Sequence, residues 1–152
     1  EHGITELVTG IDLIKEQIKI AAGEPLSIKQ EDVKIQQSAM EIRINAENPA
    51  KNFAPAPGVI KNIHIPGGNG VRIDTAVYSG YAIPPYYDSM IAKVIVHGKD
   101  RQEAIAKMRR ALYEFVIDGI DTNIDFQGMI LSHPDYISGE FDTSFIEEKI
   151  LK

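Results

Sequence analysis

Arg43 is the residue of this sequence whose type and setting best suit the binding of an anion. It lies in the segment MEIRINAE, residues 40–47, where apolar and polar residues alternate, which predicts a half-buried strand with Arg43 on its polar face. An arginine does not titrate near neutral pH, and its planar fork of donors fits a carboxylate or another oxyanion. Glu41 and Glu47 share its face and are placed to hold the guanidinium in one orientation.

Two interpretations of Arg43 follow from the residues alone. An arginine on the polar face of an amphipathic strand is most often a solvated surface residue. This strand, however, leads into a proline-rich loop at residues 48–58, and loops on rigid scaffolds often carry function. The alternatives are therefore a surface arginine and an arginine aimed at a bound anion.

The remaining residues that are able to do chemistry give weaker signals. His2, His64, His97 and His133 have no spacing typical of a metal site, so we expect no metal bound within this chain. The sequence has no cysteine, which excludes disulfides, thiolate ligands and thiol nucleophiles.

The composition is that of an ordinary globular domain. The chain has 152 residues, a net charge of −6 and 43% hydrophobic residues, enough for one core. The acidic balance argues against nucleic acid as the main partner, and no apolar run approaches the roughly 20 residues of a membrane span. Because the chain begins at Glu1 and shows no signal-peptide pattern, we expect it to be an excised piece of a longer protein or a processed product.

The elements that must position Arg43 are strands in the middle of the chain with helices on either side. GGNG at residues 67–70 predicts a type I′ hairpin turn between two strands rather than a phosphate cradle, since no helix N-terminus follows it. Segregated strands and helices indicate an α+β fold with an antiparallel sheet. Besides the strand of residues 38–47, the predicted strands cover residues 59–66, 71–83 and 90–98, and the predicted helices cover residues 10–25, 100–119, 122–135 and 141–152.

Five segments occur in a characteristic order: EHGITELVTGIDLIKEQIKIAAGEPL, AMEIRINAENP, FAPAPGVI, PPYYDSMIAKVIVHG and FVIDGIDTNIDF. Together they resemble the C-terminal third of biotin carboxylase, the ATP-dependent component of acetyl-CoA carboxylase and its biotin-dependent relatives. EIRINAE and PPYYDSMIAK are the most specific motifs, and the resemblance covers essentially the whole chain. The opening EH is similar to the end of the longer NxRxQVEH motif of that family.

The resemblance implies a three-part enzyme with Rossmann-like and ATP-grasp domains upstream. Residues 1–36 would be the C-terminal tail of the ATP-grasp domain. Residues 37–152 would be the biotin carboxylase C-terminal domain, an antiparallel β-sheet with flanking helices. ATP, Mg2+ and bicarbonate would serve to carboxylate biotin on the biotin carboxyl carrier protein, the first half-reaction of acetyl-CoA carboxylase in fatty acid synthesis. Carboxyltransferase subunits, a homodimer and a cytoplasmic location are further implications.

The resemblance also assigns roles to individual residues. Glu1 matches the carboxylate that takes a proton from bicarbonate. Arg43 matches the arginine that binds bicarbonate and stabilises the biotin enolate oxygen. Asp88 matches a residue that reaches toward the N-terminal domain, and Thr143 lies where the family lines the adenine pocket.

Some assignments meet departures from the family pattern. Asn69 and Arg72 lie in the hairpin that contributes to a twofold dimer interface in bacterial members, but the family often has a bulky residue at Asn69. It frequently has proline where Gly3 stands. The ATP lysines, the phosphate loop and the Mg2+ ligands are expected upstream, so this chain by itself is expected to be inactive. Pyruvate or propionyl-CoA carboxylase is the alternative within the family, and a non-catalytic dimerisation or interaction module is the alternative from another class.

Overall fold

The computed structural model describes residues 1–151. Residue 152, the last residue of the predicted final helix and of the predicted second domain, lies outside the described residues. The described part has helices on both sides of the strands in chain order, which confirms the predicted α+β class. The helices are α1 (His2–Thr9), α2 (Leu13–Ala21), α3 (Arg101–Glu114), α4 (Ile124–Ser132), α5 (Pro134–Ser138) and a π-helical turn (Ile146–Ile150). The strands are β1 (Ser38–Asn45), β2 (Glu47–Asn48), β3 (Ala54–Pro55), β4 (Gly58–Val59), β5 (Asn62–His64), β6 (Val71–Thr75), β7 (Ala82–Ile83), β8 (Met90–Gly98) and β9 (Val116–Asp118).

The central sheet has three antiparallel strands in the order β1–β8–β6, so that β8 lies in the middle. β1 pairs with β8 from Ser38 opposite Gly98 to Ile44 opposite Ala92, and the register shifts before Asn45. β6 pairs with the other edge of β8. The strands of this sheet are far apart in sequence, so long-range pairing rather than local hairpins holds it together.

One face of the sheet forms the hydrophobic core with α3. Ile42 and Ile44 of β1 and Val94 of β8 are buried in it, together with Met108 of α3. Burying a side chain of this size contributes about 2 kcal/mol relative to leaving it in water. The alternation predicted for residues 40–47 is therefore correct, and it directs Arg43 to the opposite face of the sheet.

The GGNG turn differs from the predicted type I′ hairpin, and that prediction is wrong. The strands on either side, β5 and β6, do not pair with each other, because β5 pairs with β9 and β6 pairs with β8. A type I′ turn needs a positive φ at Asn69, whereas in the described part of the chain Asn52 and Phe53 are the only non-glycine residues with positive φ. Gly68 and Gly70, with φ of 104° and 77°, turn the chain from one sheet into another instead.

The helix α3 begins as predicted and ends earlier. The Asp100 side chain accepts a hydrogen bond from the Glu103 backbone N–H at 2.8 Å, which caps the helix. The helix ends at Glu114, so the predicted extension to residue 119 is wrong; the β-branched residues that follow form β9 instead, because β5 supplies a pairing partner. Pro134 ends α4 as predicted, and it also starts α5, since proline suits the first helical position.

The first two helices are joined closely. α1 is absent from the sequence prediction, because its residues carry no recognisable side-chain cap. α2 begins as predicted at Asp12, whose side chain accepts from the Lys15 N–H at 2.9 Å. On α2 the Glu16 carboxylate binds Lys19 Nζ and Ser27 Oγ, each at 2.7 Å, and these hydrogen bonds lower the pKa of Glu16 to about 2. Glu16 thereby ties the exposed segment after α2 back onto the helix.

Candidate functional site

The face of the sheet opposite the core carries a row of charged residues across all three strands. Arg43 of β1 lies opposite Lys93 of β8, and Lys93 lies opposite Asp74 of β6. Directly opposed side chains on one face have β-carbons about 5 Å apart. Two cations, Arg43 and Lys93, are therefore neighbours, and Lys93 has the carboxylate of Asp74 on its other side. The sequence analysis missed Lys93, whose signal was the one charge inside the apolar strand MIAKVIVHG.

α1 packs across this charged face of the sheet. A β-carbon at Gly3 would lie 2.5 Å from Ile95 Cδ1 and 3.5 Å from Glu41 Oε2, so the helix backbone comes very close to the sheet there. This close approach explains why Ile95, on the polar face of β8, is 0% exposed. The helix thus covers part of the polar face, and Glu1 precedes its first turn.

An ion-pair network of Arg72, Glu6 and Asp74 fixes the direction in which α1 crosses the sheet. Arg72 binds Asp74 through two bonds, Nε to Oδ1 at 2.8 Å and Nη2 to Oδ2 at 2.9 Å, while its Nη1 lies 3.0 Å from Glu6 Oε2. Hydrogen bonding to Arg72 lowers the pKa of Asp74, and the nearby charges of Lys93 and His2 lower it further. Glu6 thus lies beside Arg72, and this contact ties α1 to the β6 edge of the sheet.

The side chain of Arg43 is exposed, and within residues 1–151 it has no hydrogen-bond or ion-pair partner. The prediction that Glu41 and Glu47 hold it is therefore wrong. Glu47 Oε1 accepts from Asn45 Nδ2 at 3.3 Å and from the Ser89 hydroxyl, so that carboxylate is already engaged. Glu41 Oε2 is buried under α1 with no partner among the described residues. The guanidinium is thus left free to meet a group from outside this chain.

The other residues singled out from the sequence lie apart from this row. Asp88 is exposed just before β8, and its Oδ1 accepts from the Met90 N–H at 2.7 Å. Thr143 is exposed in the turn before the π-helical segment, two residues from the buried Phe145. Asn69 is exposed in the turn before β6. In the described part of the chain, none of these three side chains bonds to Arg43.

The acidic and histidine side chains of the described residues form no metal site. No group of three or more histidine, aspartate or glutamate side chains in residues 1–151 is arranged to hold a metal ion. No helix in the same residues has the length and apolar character needed to cross a membrane.

Comparison with known proteins agrees with this architecture. Residues 41–148 match the biotin carboxylase C-terminal domain, and residues 1–29 match the ATP-binding domain of the carbamoyl-phosphate synthase L chain. The chain is 64% identical over 147 residues to biotin carboxylase 1 of Bacillus subtilis, covering 97% of this chain and 33% of that protein. The chain thus spans about a third of the length of the curated relatives it matches.

Solved structures give the same result. The biotin carboxylase subunit of a pyruvate carboxylase matches with a TM-score of 0.95 and 51% identity, covering 97% of this chain and 33% of that one. The biotin carboxylase domain dimer of Hydrogenobacter thermophilus 2-oxoglutarate carboxylase, in complex with MgADP, ADP and bicarbonate, matches with a TM-score of 0.95 and 45% identity over the same shares.

Fold and site together define an α+β domain that follows the end of an ATP-binding domain and presents an unpaired arginine on one sheet face. More narrowly, the chain belongs to the biotin carboxylase C-terminal domain family.

Proposed function

We propose that this chain is the C-terminal part of a biotin carboxylase, which uses ATP and bicarbonate to carboxylate biotin on its carrier protein. The observation that carries the proposal is the free guanidinium of Arg43. It stands on a paired strand, beside a second cation and on the face that α1 covers in part, within a chain of this family. Such a fixed cationic site suits an oxyanion substrate and a developing oxyanion.

The proposed organisation is a tail of an ATP-grasp domain at residues 1–36 and the biotin carboxylase C-terminal domain at residues 37–152. The two family matches, at residues 1–29 and 41–148, support a boundary between them. The remainder of the enzyme would lie upstream and supply the ATP and Mg2+ sites, because the described residues contain no carboxylate cluster for the ion. The chain alone would then be inactive in carboxylation.

In the proposed reaction Glu1 acts as the base and Arg43 as the electrostatic partner of the anions. Glu1 accepts the proton of bicarbonate as a bicarbonate oxygen attacks the γ-phosphorus of ATP, which releases ADP and leaves carboxyphosphate. Carboxyphosphate breaks down to carbon dioxide and phosphate; the released phosphate takes the proton of biotin N1, and N1 then attacks the carbon dioxide to form carboxybiotin. Arg43 binds bicarbonate first and then stabilises the negative charge on the ureido oxygen of biotin. An arginine suits both roles because it stays charged throughout.

Other parts of the proposal concern contacts beyond the chain. Asp88 is exposed and available to the N-terminal domain, and Thr143 is exposed and available to the nucleotide. Asn69 and Arg72 would contribute to a homodimer, in line with the dimer described for the Hydrogenobacter domain. Arg72 would do so through the part of its side chain that its ion pairs leave exposed, which is 40% of it.

The parent enzyme is proposed to be a cytoplasmic acetyl-CoA carboxylase acting in fatty acid synthesis, with carboxyltransferase subunits as partners. The support for this parent is the 64% identity to biotin carboxylase 1 of Bacillus subtilis; the pyruvate carboxylase subunit of Methanothermobacter thermautotrophicus, at 53%, represents the alternative parent. Assay of the assembled enzyme with acetyl-CoA, propionyl-CoA and pyruvate as acceptors distinguishes these parents.

The role of Arg43 is tested by Arg43→Ala in the complete polypeptide. We expect biotin carboxylation to fall about a hundredfold or more, as for loss of one oxyanion donor. The far-ultraviolet circular dichroism should be unchanged, because the side chain is exposed and makes no hydrogen bond or ion pair with the described residues. Arg109→Ala, an exposed arginine of α3, is the matched control and should keep full activity. Full activity of Arg43→Ala would instead favour a non-catalytic interaction module.

A further inference from the structure

Asn123 forms hydrogen bonds with β1, the strand that carries Arg43, along the edge of β1 that does not pair with β8. Its Oδ1 accepts from the Asn45 N–H at 2.9 Å, and its Nδ2 donates to the Arg43 carbonyl oxygen at 3.1 Å. Its own backbone N–H donates to the Asn45 carbonyl at 3.2 Å. One residue therefore occupies three consecutive polar groups on the free edge of β1, in the way that another strand would.

The position of these bonds along β1 coincides with the place where the sheet stops holding the strand. β1 is an edge strand, and its register with β8 shifts between Ile44 and Asn45. The backbone on the carboxyl side of Arg43 is thus less constrained by β8 than the rest of the strand. Asn123 bonds this irregular stretch from the other side, so the Arg43 backbone is held where sheet pairing weakens.

Asn123 makes these bonds at the expense of an ordinary local role. It is the N-cap residue of α4, where an asparagine side chain usually accepts a hydrogen bond from the first turn of the helix. Here no side-chain cap bond is formed, and Asn123 is only 5% exposed. The side chain of Asn123 therefore bonds to β1 instead of capping its own helix, so the tertiary contact outweighs the local preference here.

We propose that Asn123 is a positioning residue for Arg43: its amide fixes the backbone on either side of Ile44 and so aims the guanidinium at the reacting anion. The inference rests on the proposed function, since it gives Asn123 a role in the same reaction. It predicts that Asn123 acts on turnover through Arg43 and not through general stability. Asn123 touches neither substrate nor nucleotide in this role.

The test uses Asn123→Ala and Asn123→Asp in the complete polypeptide, assayed by biotin-dependent ATP hydrolysis. Both variants lose the donor to the Arg43 carbonyl, and Asn123→Asp keeps the acceptor for the Asn45 N–H. Asn48→Ala is the matched control, because it also loses two side-chain hydrogen bonds, those to the Lys51 N–H and to Asp121, but none to β1.

We expect kcat of both Asn123 variants to fall about tenfold to a hundredfold, since a displacement near 1 Å at a reacting group has effects of that size. KM for ATP should stay unchanged, because the nucleotide site lies elsewhere. Asn48→Ala should stay within about twofold of the parent, because neither of its lost bonds is made to β1. Asn123→Asp also covers the case in which Asn123→Ala does not fold.

A structural role alone is separated from positioning by combining each Asn123 variant with Arg43→Ala. If Asn123 acts through Arg43, the combined variant is no slower than Arg43→Ala alone, because residues that act as a unit are not additive. An independent further loss in the Arg43→Ala background, or an effect of Asn123→Asp no larger than that of Asn48→Ala, overturns the inference. If Arg43→Ala itself retains full activity, the proposed function fails, which is a distinguishable result.

Discussion

Replacement of Arg72 by methionine should loosen α1 from the sheet. The side chain of Glu6 is 14% exposed, so removing its cation leaves a largely buried carboxylate short of a charged partner, at a cost of about 1–2 kcal/mol. Asp74 and Arg72 are 32% and 40% exposed, so their two bonds add only about 0.5 kcal/mol after screening by solvent. The expected loss is therefore about 2 kcal/mol, or about 6 °C in Tm for a chain of this length.

Urea unfolding of residues 1–152, followed by circular dichroism, measures this loss. Arg110→Met is the matched control, because Arg110 pairs with Glu114 at 2.8 Å on an exposed helix surface and touches no buried acid. Such an exposed pair contributes about 0.5 kcal/mol or less. A loss for Arg72→Met no greater than that for Arg110→Met would refute the reasoning, since burial of Glu6 would then carry no energetic weight.

The pH dependence of unfolding, compared between the parent and Arg72→Met, gives a second check. Arg72 depresses the pKa of Asp74 in the folded chain, so this contribution to stability is fully present above the unfolded pKa of about 4. It is lost as the pH falls through the lower folded pKa. The difference in unfolding free energy between the parent and Arg72→Met should therefore shrink as the pH is lowered from 5 to about 3. A difference that stays constant over this range would contradict the assigned ion pair.

Three further predictions concern other parts of the chain. Lys93→Met should change the free energy of unfolding by no more than about 0.5 kcal/mol in urea titrations, because it removes both a like charge opposite Arg43 and an opposite charge facing Asp74; a change above about 1 kcal/mol would contradict the assigned register. Ile44→Ala should lower it by about 3 kcal/mol, since Ile44 is 0% exposed, and a loss under about 1 kcal/mol would contradict its place in the core. The pKa of Glu16 is lowered from 4.5 to about 2, so the attachment of the segment after α2 should persist above pH 4.5 and weaken as the pH falls toward 2. Hydrogen exchange of the Ser27 amide measures this attachment, and Glu16→Gln should abolish its pH dependence over this range.

The local sequence pattern was sufficient to predict those features of the fold and the site that depend on a single segment of the chain. The alternation of residues 40–47 placed Arg43 on the polar face of a strand, because side-chain direction in a strand depends only on the position along it. The capping residues Asp12 and Asp100 marked two helix starts, since their hydrogen bonds span three residues.

The parts that depend on register between distant segments were not predictable from one sequence. Lys93 is a neighbour of Arg43 only because β8 pairs with β1 in one particular register. Asn123 has the sequence signal of an N-cap, and that signal is misleading here because the edge of β1 competes for its side chain. The type I′ turn failed for the same reason, since β5 and β6 find partners elsewhere in the chain.

The geometry around Arg43 bears on the two interpretations left open by the sequence. A surface arginine with two glutamates on its own face would ordinarily pair with one of them, which lowers its energy slightly. Here Glu47 is engaged by Asn45 and Ser89, Glu41 is covered by α1, and the neighbour across the sheet is a second cation. The backbone is fixed while the exposed guanidinium is left without a partner among the described residues, so an incoming anion would meet a cation on a paired strand. This geometry supports the anion-binding interpretation over the solvated one.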